Sequence, residues 1–343
     1  MHDEKRPMVG KEQETTMRRR TMGRLGWQVG DVGYGMWGIG GGPGGFTGWN
    51  YDIAPDALDL AVDMGCTFFD TAWVYGRGKS ESLLGELRAR RPESGIRLAT
   101  KVPPLNREWP PRPQDTLEDV FPVEHVLDYT RRSLDNLGVD KIDLLQFHVW
   151  EDRWAADPGW QRAVTLLKEQ GLIDGFGISV NRWEPTNCFA ALDTGLVDAI
   201  QVIYNVFDQA PEDELFPRAI EENIAIIARV PFDEGSLTGT LTADTTFPPE
   251  DWRAVYFGPE NLPPTVERVD ALRGLVPDGR TLPELALGFA LHHPAVSVVI
   301  PGMRRPEHVR SNLRVSGSAP LPAELLEALR AHRWDRRPTH WSM

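Results

Sequence analysis

Short apolar runs alternate with amphipathic stretches along most of this chain, and the two repeat with different periods. The runs Val32–Trp37, Thr67–Phe69, Arg97–Thr100, Ile142–Phe147, Asp174–Ile178, Ala199–Tyr204, Ala225–Ala228 and Val296–Ile300 read as strands. Between and after them, residues 55–64, 80–90, 123–137, 158–170, 184–194, 212–222, 281–292 and 306–315 carry helical spacing, with Pro55 suited to a first turn. Eight βα units with no break in composition predict α/β architecture, a closed (β/α)8 TIM barrel. Residues 17–31, MRRRTMGRLGWQVGD, alternate and turn as a short hairpin that would cover one end. Residues 1–16 are polar and charged, and read as a disordered tail ahead of one domain spanning 17–343. From about residue 332 the domain ends in a tail that folds over the mouth or reaches a neighbouring subunit.

Three connections exceed the usual few residues: 103–122, 150–158 and 230–264. Each follows a strand, so all three rise over the C-terminal face, where barrels place their sites. Trp37, Trp49, Trp73, Trp109, Trp150, Trp154, Trp183 and Trp252 all fall at or after strand ends. That placement suits either an apolar pocket wall or the pinning of long loops.

At 343 residues the chain can bury a barrel-sized core. Its formal charge of −13 excludes a broad footprint for nucleic acid or anionic lipid, so any anion site must be local. Two cysteines, Cys66 and Cys188, are too few for a disulfide framework and fit a reducing, cytoplasmic setting. No run is long and apolar enough to span a membrane. His292-His293 lacks a third ligand nearby, so no metal is expected.

The chemistry gathers between Thr67 and Lys101. Asp70 ends one strand, Tyr75 lies in the next loop, Lys101 ends the following strand, and His148 ends the one after. Singly, these residues read as a turn cap, loop packing, a solvated amine and a satisfied histidine. Together, on consecutive βα units, they aim at one mouth. A neighbouring ammonium would lower the pKa of the phenol, and the carboxylate would hold the amine in place.

The stretch DTAWVYGRGKSESLLG resembles the signature of the aldo-keto reductase superfamily. The likeness continues in order through LATKV, LLQFH, GFGISV, IQVIYN, GSLTG and IPGMRRPEHVRSNL, over residues 17–315. It implies the same barrel and a catalytic tetrad of Asp70, Tyr75, Lys101 and His148. It also implies reduction of aldehydes or ketones to alcohols with NAD(P)H, or the reverse, with Tyr75 as general acid. An alternative within the resemblance is an NADPH-binding regulatory subunit like the channel-associated members. The expected partners are a small carbonyl or alcohol and, at most, further copies of this chain in a small homo-oligomer.

For the cofactor, the residues themselves point to IPGMRRPEHVR, where Arg304, Arg305, His308 and Arg310 crowd a helix start in an acidic protein. Gly302 permits close backbone approach there, and a helix N-terminus favours phosphate. Arginine suits the 2′-phosphate of NADPH. The resemblance adds Arg304 and His308 at that phosphate, Asn312 at the adenine, Ser179 and Gln201 at the carboxamide, and Met36 near the nicotinamide. It also makes GSLTG the loop that closes over the pyrophosphate, with Phe232, Gly235 and Leu237 as contacts. Two positions depart from the family pattern. Val180 stands where many members carry asparagine, and Arg229 where many carry a ring-stacking tyrosine; Arg229 is expected to stack on the nicotinamide or grip the pyrophosphate. The substrate pocket is expected to include Trp37, Trp109 and Trp150. Gly33-Tyr34-Gly35-Met36-Trp37-Gly38 matches G-x-G-x-x-G, but with no helix expected behind it the run reads as the first barrel strand.

Overall fold

The computed structural model describes residues 17–42, 45–48 and 50–336; the tail expected over 1–16, Trp49 and residues 337–343 lie outside them. Strands β1 (Arg19–Thr21) and β2 (Gln28–Gly30) pair antiparallel as a hairpin. Eight parallel strands follow: β3 (Tyr34–Gly35), β4 (Phe68–Asp70), β5 (Arg97–Val102), β6 (Ile142–Phe147), β7 (Ile173–Ser179), β8 (Ala199–Ile203), β9 (Ala225–Arg229) and β10 (Val296–Val299). They pair in sequence order. Parallel bridges Val32 to Val299 and Gly35 to Gly302 join the two edges and close the barrel. Gly35 is needed at this seam, because a Cβ there would stand 2.7 Å from the Ile300 carbonyl oxygen.

Inside the barrel lies an apolar plug of Phe68, Ala99, Leu144, Ala199, Ile227 and Val298, with Met22 and Val29 of the hairpin region packed beneath it. The hairpin therefore seals the N-terminal end. A larger apolar layer fills the space between strands and helices. The helix Val123–Leu137 shows how the sequence builds that layer. Val126, Tyr129, Thr130, Ser133, Leu134 and Leu137 recur at three- and four-residue spacing and are buried, and Gly138 at φ 62° ends the run. Each fully buried leucine stabilises the packing by about 1.5–3 kcal/mol relative to exposure.

The differences from the expected elements are local. The first strand is two residues long rather than six, and a one-turn helix, Trp37–Gly40, opens behind it. The helix expected over 184–194 shortens to Phe189–Asp193. Helices also form where loops or no element were expected: Leu117–Val120, Trp252–Tyr256, Leu262–Arg273 and Ala323–Arg330. Thr116 and Asp119 close a capping box on the first of these, a short-range signal inside a proline-rich stretch. No helix among the described residues is long and apolar enough to cross a membrane.

Candidate active site

Inward side chains alternate along each strand, and one step above the apolar plug they turn polar: Phe68 is followed by Asp70, Ala99 by Lys101, Leu144 by Gln146, Ala199 by Gln201, and Ile227 by Arg229. The period of two thus carries a hydrophobic interior up to a chemical rim. Lys101 pairs in register with Gln146, and Ser179 with Gln201.

Asp70 is the hub. Its Oδ1 accepts from Lys101 Nζ, and its Oδ2 accepts from Gln146 Nε2 at 2.9 Å and Gln201 Nε2 at 2.8 Å. Lys101 also donates to the Thr71 carbonyl at 2.8 Å. Both ions are buried, so each depends on these partners to offset lost hydration. Gln146 was not expected here. The signal for it was an amide on the buried side of the run IDLLQF, whose other polar residue, Asp143, pairs with Arg97; Gln146 stands two residues before His148.

Tyr75 sits in the turn after β4, its backbone fastened by Tyr75 N to Ala72 O at 3.0 Å and Ser80 N to Tyr75 O at 3.1 Å. Gly40 backs it closely, since a Cβ on Gly40 would meet Tyr75 Cβ at 2.7 Å. Lys101 Nζ lies 5.2 Å from the Tyr75 ring centroid, and the His148 ring meets that of Tyr75 edge-on at 5.8 Å. Burial pushes the phenol upward, Lys101 pulls it down, Asp70 pushes it up and Arg229 pulls it down. The net direction is upward, which corrects the lowering expected from the lysine alone: desolvation outweighs it. A phenol so placed keeps its proton at neutral pH.

Burial, with Lys101 and then Arg229, holds His148 well below its ordinary value, so the ring is neutral. Its buried Nδ1 has no hydrogen-bond partner among the described residues. Trp109 packs edge-on against His148 at 5.9 Å and Trp37 stacks beside Tyr75 at 6.2 Å, so both reach the mouth. Trp150 does not. It is 1% exposed, packs with Phe147, Trp154 and Trp160, and donates to Asp152 Oδ1 at 3.2 Å. The strand ahead of it directs His148 into the barrel mouth and, two positions on, the chain has already turned outward to the helix layer.

Around the same rim lie the other expected positions. Met36 is buried and its N–H donates to the Asp70 carbonyl at 2.9 Å. Arg229 donates from Nη2 to the Val180 carbonyl at 3.1 Å, and its buried Nε has no partner among the described residues. Gln201 commits its amide nitrogen to Asp70 and Gln146, leaving Oε1 as its available group. Arg304 packs along Gly38 and donates to the Thr47 carbonyl, tying the glycine-rich segment to the exit of β10. His308 and Asn312 follow on the helix Pro306–Arg314, and Gly302 is open, with nothing within 4 Å of a Cβ placed on it. Orphaned nitrogens on Arg229 and His148, an open glycine and a helix start fit a bound dinucleotide. No cluster of three or more potential metal ligands occurs among the described residues.

The loop Val230–Gly239 is strained. Val230, Asp233 and Glu234 take φ of 56°, 45° and 56°. Non-glycine residues in this region cost of order 1–3 kcal/mol each, and a β-branched valine is a particular outlier. Tight turns hold the segment, with the Gly235 and Leu237 N–H groups both donating to the Phe232 carbonyl, at 2.9 and 3.1 Å. Beneath it runs a second buried ionic cluster that sequence reasoning missed: Arg182, Asp208, Asp233, Tyr256 and Arg336. Its members come from the three connections after β7, β8 and β9 and from the tail, and no local pattern links them.

Compared with known proteins, residues 31–333 match the profile of the Aldo/keto reductase family. The chain is 30% identical to pyridoxal 4-dehydrogenase of Microbacterium luteolum over 91% of this chain and 96% of that protein. It is 27% identical to the NADH-specific methylglyoxal reductase of Escherichia coli, over 91% and 99% respectively. In fold it is similar to an aldo-keto reductase from Bacillus halodurans in its holo form, with a TM-score of 0.73, 24% identity and coverage of 95% and 100%.

Proposed function

Because the chain belongs to the aldo/keto reductase family, a family of oxidoreductases acting with NAD(P)H on small carbonyl compounds, we propose that it is an NADPH-dependent reductase of aldehydes or ketones, working also in reverse on alcohols. The observation that carries this reading is the gathering of Asp70, Tyr75, Lys101 and His148 at one mouth. When bound, the reduced nicotinamide supplies the hydride.

The protein's own groups do the rest. A carbonyl oxygen entering between Tyr75 and His148 meets a protonated phenol and a neutral imidazole, both able to donate as negative charge develops on it. Proton loss from Tyr75 leaves a phenolate, which the Lys101 ammonium stabilises from beneath. Asp70 fixes Lys101 in that place, and Gln146 and Gln201 fix Asp70. Trp37 and Trp109 wall the entrance and exclude water.

For the dinucleotide, Ser179 and Gln201 Oε1 would hold the carboxamide, Arg229 would lie over the ring or at the pyrophosphate, and the loop around Phe232, Gly235 and Leu237 would close over it. Arg304, His308 and Asn312 would take the adenosine end. Arginine at this end supports NADPH over NADH. Purified protein assayed with a generic aldehyde should oxidise NADPH, faster than it oxidises NADH. Tight NADPH binding without turnover across a carbonyl panel would favour the regulatory-subunit alternative, and a clear NADH preference would remove the arginine argument.

A further inference from the structure

The C-terminal arm is the least expected contributor to the rim. The Trp334 backbone N–H donates to the Phe207 carbonyl at 2.8 Å, and the guanidinia of Arg268 and Arg336 each lie 4.4 Å from the Trp334 ring centroid. Two residues on, Arg336 is buried. Its Nη2 donates to Asp233 Oδ1 at 2.7 Å and lies 3.4 Å from Asp208 Oδ2, while its Nη1 donates to the Tyr256 hydroxyl. Tyr256 in turn donates to the same Asp233 oxygen at 2.6 Å, and Ser236 donates to the other at 2.7 Å.

Asp233 sits inside the strained segment, between Val230 and Glu234, which also take positive φ. Burial opposes its ionisation, but Arg336 and Arg182 outweigh that, and its carboxyl stays below the usual range. The two arginines are not equivalent. Arg182 is 3.7 Å from Asp233 Oδ1 and closer, at 3.5 Å, to Asp208, whereas Arg336 makes the short contact. A segment that stores backbone strain needs an external hold, and the hold here is an arginine from the far end of the chain. Arg336 Nε is buried without a partner among the described residues, so the hold runs through its two terminal nitrogens.

We propose that Arg336 is a positioning residue for the loop 230–239: the C-terminal arm latches that loop through Asp233, and undocking of the arm sets how fast a bound dinucleotide leaves. This rests on the reading that the loop closes over the dinucleotide. Arg336 acts on the loop through Asp233 and Tyr256.

The test is NADPH release, followed by stopped-flow fluorescence for the full-length wild type, Arg336→Ala, Arg336→Lys and Trp334→Ala. Release should quicken about tenfold or more in Arg336→Ala and in Trp334→Ala, with partial recovery in Arg336→Lys. The KM for NADPH should rise with the off-rate while that for the aldehyde moves less than about twofold, a split that general loosening of the fold would not produce. A wild-type off-rate in the folded Arg336→Ala protein overturns the latch; if that variant does not fold, a wild-type off-rate in Trp334→Ala overturns it instead. Failure of the wild type to bind NADPH or NADH overturns the functional reading, and the latch with it.

Discussion

Two buried ionic clusters share the barrel rim and are built from opposite materials. Asp70, Lys101, Gln146 and Gln201 all project from strands, β4, β5, β6 and β8, and meet across the barrel interior, with both oxygens of the Asp70 carboxylate engaged. Arg182, Asp208, Asp233, Tyr256 and Arg336 project from the connections and the tail, and both arginines leave a buried Nε without a hydrogen bond among the described residues. Strands tied by a continuous hydrogen-bond ladder hold their side chains with little freedom, which suits groups that must meet a reacting atom. Loops tied by side chains can open as a unit, which suits a cover. The same interaction, a desolvated Arg or Lys against Asp, thus serves rigidity in one place and release in the other.

The comparison is broken most directly at its rigid side. Lys101→Met leaves Asp70 buried with two amide donors and no cation, and should cost about 3–5 kcal/mol of stability in urea unfolding. A loss below about 1 kcal/mol would mean that the strand-borne pair is no more essential than a surface one. Next in size, Tyr75→Phe should lower the chemical step by about 10²-fold or more while NADPH affinity stays near wild type, since the ring and its packing remain. Unimpaired turnover would take Tyr75 out of the proton-donor role.

The smallest effect sharpens the electrostatics. His148 has a folded pKa well below the ordinary value, so below about pH 6.5 the unfolded chain takes up a proton that the folded protein refuses. Stability from this group is therefore fully present above about pH 6.5 and declines as pH falls, by at most about 1.4 kcal/mol per pH unit. His148→Gln removes that dependence, so the wild-type unfolding midpoint should fall relative to the variant's as pH drops from about 7.5 to about 5. Parallel curves across that range would show that the imidazole is not kept neutral by burial.

The order of the barrel was legible because it is written locally. Strand runs such as Ile142–Phe147 and helix faces such as Val126 to Leu137 carry their periods within a dozen residues, and a parallel βα chain has few ways to close. The same locality exposed Asp70, Lys101 and His148, each at a strand end, and the alternation beneath them explains why they share a mouth. Trp150 shows where that reasoning stops. A tryptophan after a strand end reads as a pocket wall, but whether it faces the mouth or the helix layer depends on the turn that follows, and here Phe147, Trp154 and Trp160 claim it.

What the sequence by itself determined is the closed barrel, its hairpin seal and the strand-end chemistry, because period and strand order follow from neighbouring residues. Only the tertiary structure decided the rest: that Gln146 braces Asp70, that burial outweighs Lys101 at the Tyr75 phenol, and that Arg336 grips Asp233 from 103 positions away. Desolvation and long-range ion pairing depend on what the whole fold brings around a group, and no short stretch of chain carries that information.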